Sequence, residues 1–153
     1  MVRRAVRDVP AALPLSDHVA VAVADADHDQ GIGVPTQPAM SKIMITGEGD
    51  FTVLDGTKVE TREGLDLIRD VIVDQHFLKR QRQNRLFGLV LLNPQQLGVG
   101  VNEDAALLVT DSRHAEAVGG AVMIVDGRGG KDELHLTVVR PGERFDLVKR
   151  QRE

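Results

Sequence analysis

Residues 67–74, LIRDVIVD, form a β-branched and mostly apolar run. Such a run is typical of a central strand that is covered on both faces of a sheet. The next stretch supplies much of an apolar stripe at helical spacing, consisting of Leu78, Leu86, Leu89 and Val90. Asn93-Pro94 ends this pattern, so we predict a helix from about Lys79 to Leu92.

Short extended segments make up most of the remaining chain. KIMIT reads as a strand closed by GEGD, Asp55-Gly56 as a turn between extended pieces, and LGVGV as another strand. The first half of HVAVAVADADHD also alternates as a strand does. Five further strands are predicted towards the C-terminus, in AALLVTD, HAEAVGG, AVMIVDG, LHLTVVR and RFDLVKR. The pattern predicts an α/β protein with a β-rich C-terminal part.

Composition excludes several classes of function. The chain contains no cysteine, which excludes disulfides, thiolate zinc sites and a cysteine nucleophile. A net charge of −4 argues against a general nucleic-acid or membrane-surface binder. No apolar run approaches the roughly 20 residues of a membrane span, and the histidines show no metal-ligand spacing. We expect a cytoplasmic protein without metal, cofactor, nucleic acid or membrane partner.

Three polar residues, Asp74, Gln75 and His76, follow the predicted buried strand. Ligands of open α/β sheets collect beyond the carboxyl ends of the strands. A neutral histidine at that position could accept a proton from a nucleophile. The alternative is a surface or capping histidine without a chemical role.

Cations are concentrated just beyond this histidine, at Arg80, Arg82 and Arg85. Guanidinium groups bind carboxylates in a bidentate manner, so the cluster could hold an anionic ligand. A solvated helix face explains the same residues. After the LGVGV strand, Glu103 could orient a base, bind a substrate cation or belong to a simple turn.

Four segments in this order resemble the cyanophycinases and their relatives among the serine peptidases. These segments are MSKIMITGEGD, DVIVDQHFLKRQRQNRL, LGVGVNEDAALLV and GGAVMIVDG, which together span about residues 39–127. The block of DQHF followed by three arginines is the specific part. The resemblance implies residues 39–153 as a partial α/β domain, and residues 1–38 before it are expected to be a divergent or poorly ordered segment.

The resemblance implies a fold and an activity. The expected fold is a three-layer sheet like that of class I glutamine amidotransferases, incomplete at the N-terminus. Family members use a serine on a strand-to-helix elbow, with histidine as the base. They hydrolyse a β-aspartyl-arginine polymer or related aspartyl peptides, and they often form dimers. An Asp- and Arg-rich peptide and a homodimer are therefore the expected partners.

The family's site residues can be assigned where the segments match. His76 corresponds to the base, and Asp74 and Gln75 to its neighbours in the substrate pocket. The arginine cluster corresponds to the group that holds aspartyl carboxylates, and Glu103 to the acidic residue that meets the substrate's arginine. The carboxylate that orients the histidine is expected after MITG, from Glu48 or Asp50.

The nucleophile does not match. The family has a GGTSAGA elbow where this chain reads GIGVPTQPAMSKIMITG, and counting back from Ser41 places the nucleophile at about Val34. Thr36 is near, but Pro35 and Pro38 suit an elbow poorly. The match also starts late, so we expect a truncated product or a frame-shifted first segment. Reading the upstream DNA in three frames tests this.

The resulting expectation is an impaired cyanophycinase-like peptidase. The alternatives are a non-catalytic module that binds an Asp/Arg-rich peptide, and a remnant whose exposed sheet edge makes it fold poorly alone.

Overall fold

The computed structural model describes residues 18–23, 40–46 and 52–153. Within these ranges the protein has three layers: a five-stranded sheet, a four-stranded sheet and one α-helix on the outer face of the latter. A separate pair of short strands lies beside them. The predicted α/β class is therefore confirmed, with mixed sheets and little helix.

The four-stranded sheet carries the segments that dominate the sequence pattern. Its strands, in spatial order, are β4 (Val71–Gln75), β5 (Leu97–Val101), β8 (Val122–Asp126) and β9 (His135–Val139). Strands β4 and β5 are parallel, while β8 and β9 each run antiparallel to the strand before them.

The run LIRDVIVD was predicted to form a central strand, and its second half forms β4, which is buried as expected and lies at the edge of the sheet among the described strands. Val71, Ile72 and Val73 are buried on both faces, yet β4 pairs with β5 alone among the described strands. A continuous apolar run indicates that both faces of the strand are covered. It does not report how many neighbours the strand has along the sheet.

The α-helix, α1, spans Gln83–Leu92, so the predicted start near Lys79 is wrong and the predicted end is confirmed. A tight turn occupies the first positions of the predicted helix. Its backbone hydrogen bonds run from Arg80 N to His76 O (3.0 Å) and from Arg82 N to Phe77 O (3.0 Å). Gln81 has a φ of 51°, a left-handed conformation that an α-helix cannot contain.

The five-stranded sheet is antiparallel and combines three strands of five or six residues with two shorter ones. In spatial order they are β1 (His18–Val23), β6 (Ala106–Thr110), β7 (His114–Val118), β10 (Arg144–Asp146) and β11 (Gln151–Arg152). The strand predicted in the first half of HVAVAVADADHD and the β-rich C-terminal part are both confirmed. Among the strands that the structure describes, β1 pairs with β6 alone.

The small strand pair joins β2 (Ile43–Ile45) to β3 (Thr61–Glu63). The turn expected at Asp55-Gly56 is instead the start of a one-turn 3₁₀ helix, Gly56–Lys58. The Asp55 side chain accepts a hydrogen bond from Thr57 N at 3.0 Å and caps that helix. Aspartate favours both turns and helix caps through this same side-chain contact.

Alternate residues of the four-stranded sheet face two different cores. Val71 and Val73 of β4 join a cluster shared with the five-stranded sheet, and Ile72 between them packs with α1. Glycines of β5 take the helix-facing positions: a Cβ on Gly98 would lie 2.7 Å from Val90 Cγ2 of α1. The helix can therefore pack closely over β5, and this closeness positions the turn that precedes it.

Candidate functional site

The site lies at the carboxyl ends of β4 and β5. These parallel strands are in register from Val71 with Leu97 to Gln75 with Val101. The next residues along the chain, His76 and Asn102, therefore emerge side by side at one edge of the sheet. This is the edge where the sequence predicts a ligand.

His76 begins the turn in a left-handed conformation, with φ of 51°. The residue after it, Phe77, is fully buried, and its backbone N–H donates to Val101 O at 3.3 Å. The Phe77 ring lies where a Cβ on Gly100 would stand, so it packs directly on β5. Such an uncommon backbone conformation in a residue other than glycine is held by its surroundings and is frequent at functional sites.

The carboxylate nearest to His76 among the described residues is Glu103. His76 Nδ1 lies 3.2 Å from Glu103 Oε1, and Lys79 Nζ donates to Glu103 Oε2 at 2.8 Å. The side chains of His76 and Glu103 are only 16% and 17% exposed. The hydrogen bond from Lys79 is the main cause that lowers the pKa of Glu103, which His76 lowers further against the effect of burial. The ionised Glu103 can therefore accept a hydrogen bond from the Nδ1–H group of His76.

Asp74 and Arg85 form a buried ion pair beneath this cluster. Arg85 Nε donates to Asp74 Oδ2 at 2.6 Å, and Arg85 Nη2 donates to the other carboxylate oxygen. Asp74 is fully buried and Arg85 is 4% exposed. Burial raises the pKa of Asp74, and the Arg85 guanidinium opposes that rise. The pair connects the end of β4 to the first turn of α1.

The three arginines of the sequence motif occupy different environments. Arg82 is 7% exposed and its Nη1 donates to the backbone carbonyl of the half-buried Gln75 at 3.0 Å. Arg80 is exposed and lines a cleft of about 520 Å³ together with Thr52, Gln81, Gln83 and Asn84. The structure thus brings Arg82 and Arg85 together with the end of β4, whereas Arg80 lines the surface cleft. Their substrate-binding role stays a prediction.

Several predicted positions fall outside the described residues. They are Glu48 and Asp50, the expected partners of the histidine, and Val34 and Thr36 near the expected nucleophile. Ser41, the position from which the expected nucleophile is counted, is fully buried, and its Oγ donates to Ile43 O at 2.8 Å.

Sequence reasoning missed two features of the cluster. It left open whether Glu103 orients a base, then assigned it to a substrate cation, and it gave Lys79 no role at all. The partnership could have been found from strand register: Glu103 lies two residues beyond β5 and His76 one residue beyond β4.

No candidate metal centre with three or more histidine or carboxylate ligands occurs in the described ranges. Among the described residues, no helix has the combined length and apolar character that crossing a membrane requires.

Comparison with known proteins gives consistent sequence similarities. The chain is 34% identical over 127 residues to a cyanophycinase of Trichormus variabilis, which covers 72% of this chain and 43% of that protein. It is 37% identical over 90 residues to a cyanophycinase of Geminocystis herdmanii, covering 58% and 33%. A cyanophycinase of Synechococcus elongatus is 34% identical over 111 residues, covering 71% and 34%. No protein-family model matches the sequence.

A solved structure, a peptidase from an acI-B1 Actinobacterium, aligns over 72% of this chain and 42% of its own, with 22% identity and a TM-score of 0.49. The sequence relatives define the class as peptidase-related. The chain belongs to the cyanophycinase-like peptidase family. It spans less than half the length of these curated relatives, between 33% and 43%.

Proposed function

We propose that this chain carries the base and the charged binding residues of a cyanophycinase-like, serine-type peptidase site. The observation that carries the proposal is the contact between His76 Nδ1 and Glu103 Oε1 at the carboxyl ends of β4 and β5. A carboxylate that holds Nδ1 leaves Nε2 to accept the nucleophile's proton. The expected substrate is a β-aspartyl-arginine polymer or a related aspartyl peptide.

The proposal gives the charged residues separate roles. Glu103 orients His76. It takes the place of Glu48 and Asp50 as the first candidate for that role. Asp74 and Arg85 are buried against each other, so they support the backbone of Gln75 and His76 from below. Arg80 is exposed and lines the cleft at the surface, and the proposal assigns it to a carboxylate of the ligand.

Hydrolysis by this chain is expected to be impaired, because valine stands at the expected nucleophile position. Removal of the nucleophile from a well-studied serine peptidase reduces kcat roughly a million-fold, while the remaining site still binds substrate. The second candidate function is therefore a non-catalytic module that binds an Asp/Arg-rich peptide. The retained base and binding residues, without a serine at the elbow, favour this second candidate.

The wider proposal includes a glutamine amidotransferase-like sheet, a cytoplasmic location and a homodimer. The parallel pair β4–β5 with α1 packed on its outer face supports the first of these. Light scattering of the purified chain tests the dimer.

The decisive experiment incubates the purified chain with β-aspartyl-arginine polymer. Dipeptide release is measured by chromatography, and binding by cosedimentation with the polymer. The chain, His76→Ala and Arg80→Ala are compared, with Lys131→Ala as a matched control. Lys131 is an exposed cation in the loop between β8 and β9, at the opposite end of the sheet.

We expect binding that weakens in Arg80→Ala but not in Lys131→Ala, with release that is very slow or absent. Release that disappears in His76→Ala supports the peptidase. Binding without release supports the module. If the chain neither binds nor cleaves the polymer, both candidates are wrong.

A further inference from the structure

The turn after β4 is fastened to the loop after β5 by three side-chain contacts. Two of them use Glu103, which meets His76 Nδ1 through Oε1 and Lys79 Nζ through Oε2. The third joins Leu78 N to Asn102 Oδ1 at 3.3 Å, and Asn102 Nδ2 in turn donates to Ala121 O at 2.9 Å. The two loops thus hold each other in a defined relative position.

Lys79 differs from its partners in exposure. Its side chain is 63% exposed, whereas that of Glu103 is 17% exposed. A carboxylate with one oxygen bonded to an ammonium and the other facing an imidazole cannot rotate without losing a charge-assisted contact. Lys79 therefore restrains Glu103 from the solvent side.

We propose that Lys79 is a positioning residue that keeps Glu103 directed at His76 and so selects the tautomer of the imidazole. This inference rests on the proposed function, because it concerns the same base. Ionised Glu103 has no proton to donate, so a hydrogen bond to it requires the proton on Nδ1. The Nε2 lone pair then points away from Glu103 and can accept a proton from a nucleophile.

The inference also alters the substrate assignment. The sequence-based expectation gives Glu103 to the arginine side chain of the substrate. In the structure both Glu103 oxygens are engaged, and Lys79 supplies the cation that the substrate was expected to bring. A substrate guanidinium at Glu103 would have to share the carboxylate with Lys79 and His76 or displace one of them.

The test measures the tautomer of neutral His76 by ¹H–¹⁵N correlation of the imidazole ring, at a pH of about 9, above the ordinary range of histidine. Loss of one set of signals in His76→Gln assigns the resonance among the five histidines. The variants are Lys79→Met, Lys79→Arg and Glu103→Ala, with Lys131→Met as the control for loss of an exposed lysine. Urea unfolding confirms that each is folded.

We expect the wild type and Lys131→Met to have the proton mainly on Nδ1. In Lys79→Met the Nδ1–H population should fall towards that of Glu103→Ala, and Lys79→Arg should restore it. A second measurement uses the wild type in about 1 M salt, which screens the exposed contact of Lys79 and should shift the population in the same direction.

An unchanged tautomer in folded Lys79→Met, or in wild type at high salt, overturns the proposal. The measurement needs neither substrate nor nucleophile. Its failure is therefore distinguishable from failure of the proposed function, which the polymer experiment detects separately.

Discussion

Asp74 and Arg85 show how one pair of residues can support a site from inside the core. Asp74 lies near the carboxyl end of β4, and Arg85 lies in the first turn of α1. Both are almost completely removed from solvent. A buried pair of this kind adds little net stability compared with apolar residues of similar size, but loss of one partner leaves a costly polar group behind.

We predict that Arg85→Met lowers the free energy of unfolding by about 3–5 kcal/mol, because Asp74 loses the guanidinium that contacts both of its carboxylate oxygens inside the core. Urea denaturation followed by circular dichroism measures this change. Arg144→Met removes an exposed arginine and serves as the control, with an expected effect below about 1 kcal/mol.

The double variant Asp74→Leu with Arg85→Met should be less destabilised than Arg85→Met alone, since no buried carboxyl group remains. A double variant that is less stable than the single one would contradict the explanation.

Asp146 makes a contribution to folding stability that depends on pH. Hydrogen bonds from Arg113 and from the backbone of Lys149 and Val148 lower its pKa from 3.8 to about 2, against the opposing effect of burial. A carboxyl group whose pKa is lower in the folded protein than in the unfolded chain stabilises the fold at pH values above its unfolded pKa. The contribution is lost as the pH falls towards about 2.

We therefore predict that wild type loses its stability advantage over Asp146→Asn between about pH 4 and pH 2. Urea unfolding at a series of pH values measures the difference between the two proteins. Asp132→Asn, an exposed substitution of the same kind, is the control. A difference between wild type and Asp146→Asn that stays constant down to pH 2 would exclude this role.

At the scale of elements, helix α1 is positioned by glycines. Gly88 of the helix faces Gly56 of the 3₁₀ helix so closely that a Cβ on Gly88 would lie 2.7 Å from Gly56 N and 3.0 Å from Asp55 C. Both obstacles are backbone atoms, which cannot rotate away as a side-chain end can. The close approach fixes α1 against the 3₁₀ helix and, with it, the turn that precedes α1 and carries His76.

We predict that Gly88→Ala destabilises the protein by about 1–3 kcal/mol through overpacking. Helix propensity alone would make the same change favourable by about 1 kcal/mol, so the sign of the effect separates the two causes. Thermal and urea unfolding measure it, with Gln83→Ala in the first turn of the same helix as the control. A stabilised Gly88→Ala variant would show that the two segments can separate at little cost.

At the scale of the whole molecule, the two sheets share one core. Residues of β4, β5 and β8 form a single buried cluster with residues of β6, β7 and β10. Phe145 of β10 belongs to it and is 2% exposed. A change in the five-stranded sheet should therefore reach the site, although the site belongs to the other sheet.

We predict that Phe145→Ala lowers the free energy of unfolding by about 3–5 kcal/mol through loss of buried area and a residual cavity. In this variant the urea midpoint of unfolding should be lower than in wild type. It should be the same whether it is followed by the His76 imidazole resonance or by far-ultraviolet circular dichroism. Leu136→Ala, at a half-exposed position of β9, should change it much less. Two separate midpoints would mean that the sheets unfold independently.

Much of the fold was predictable because its signals are local. VIVD, LGVGV and the C-terminal runs are short, β-branched and mostly apolar segments, so they could be assigned as strands without knowledge of their neighbours. The helix start was not predictable by periodicity, because Leu78 continues the apolar stripe while the backbone at Gln81 turns left-handed. That turn forms because Phe77 packs against β5, which is a tertiary contact.

The order of the segments and the DQHF motif indicate the family, and both are features of the amino-acid sequence alone. The partners of the charged residues were decided by folding. His76 and Glu103 are 27 positions apart and meet because β4 and β5 pair in parallel register. Arg85 turns inward because the helix-facing side of β4 places Asp74 beneath it. Local patterns specify which face of a strand is buried, whereas charges separated along the chain find their partners only when strands and helix are packed.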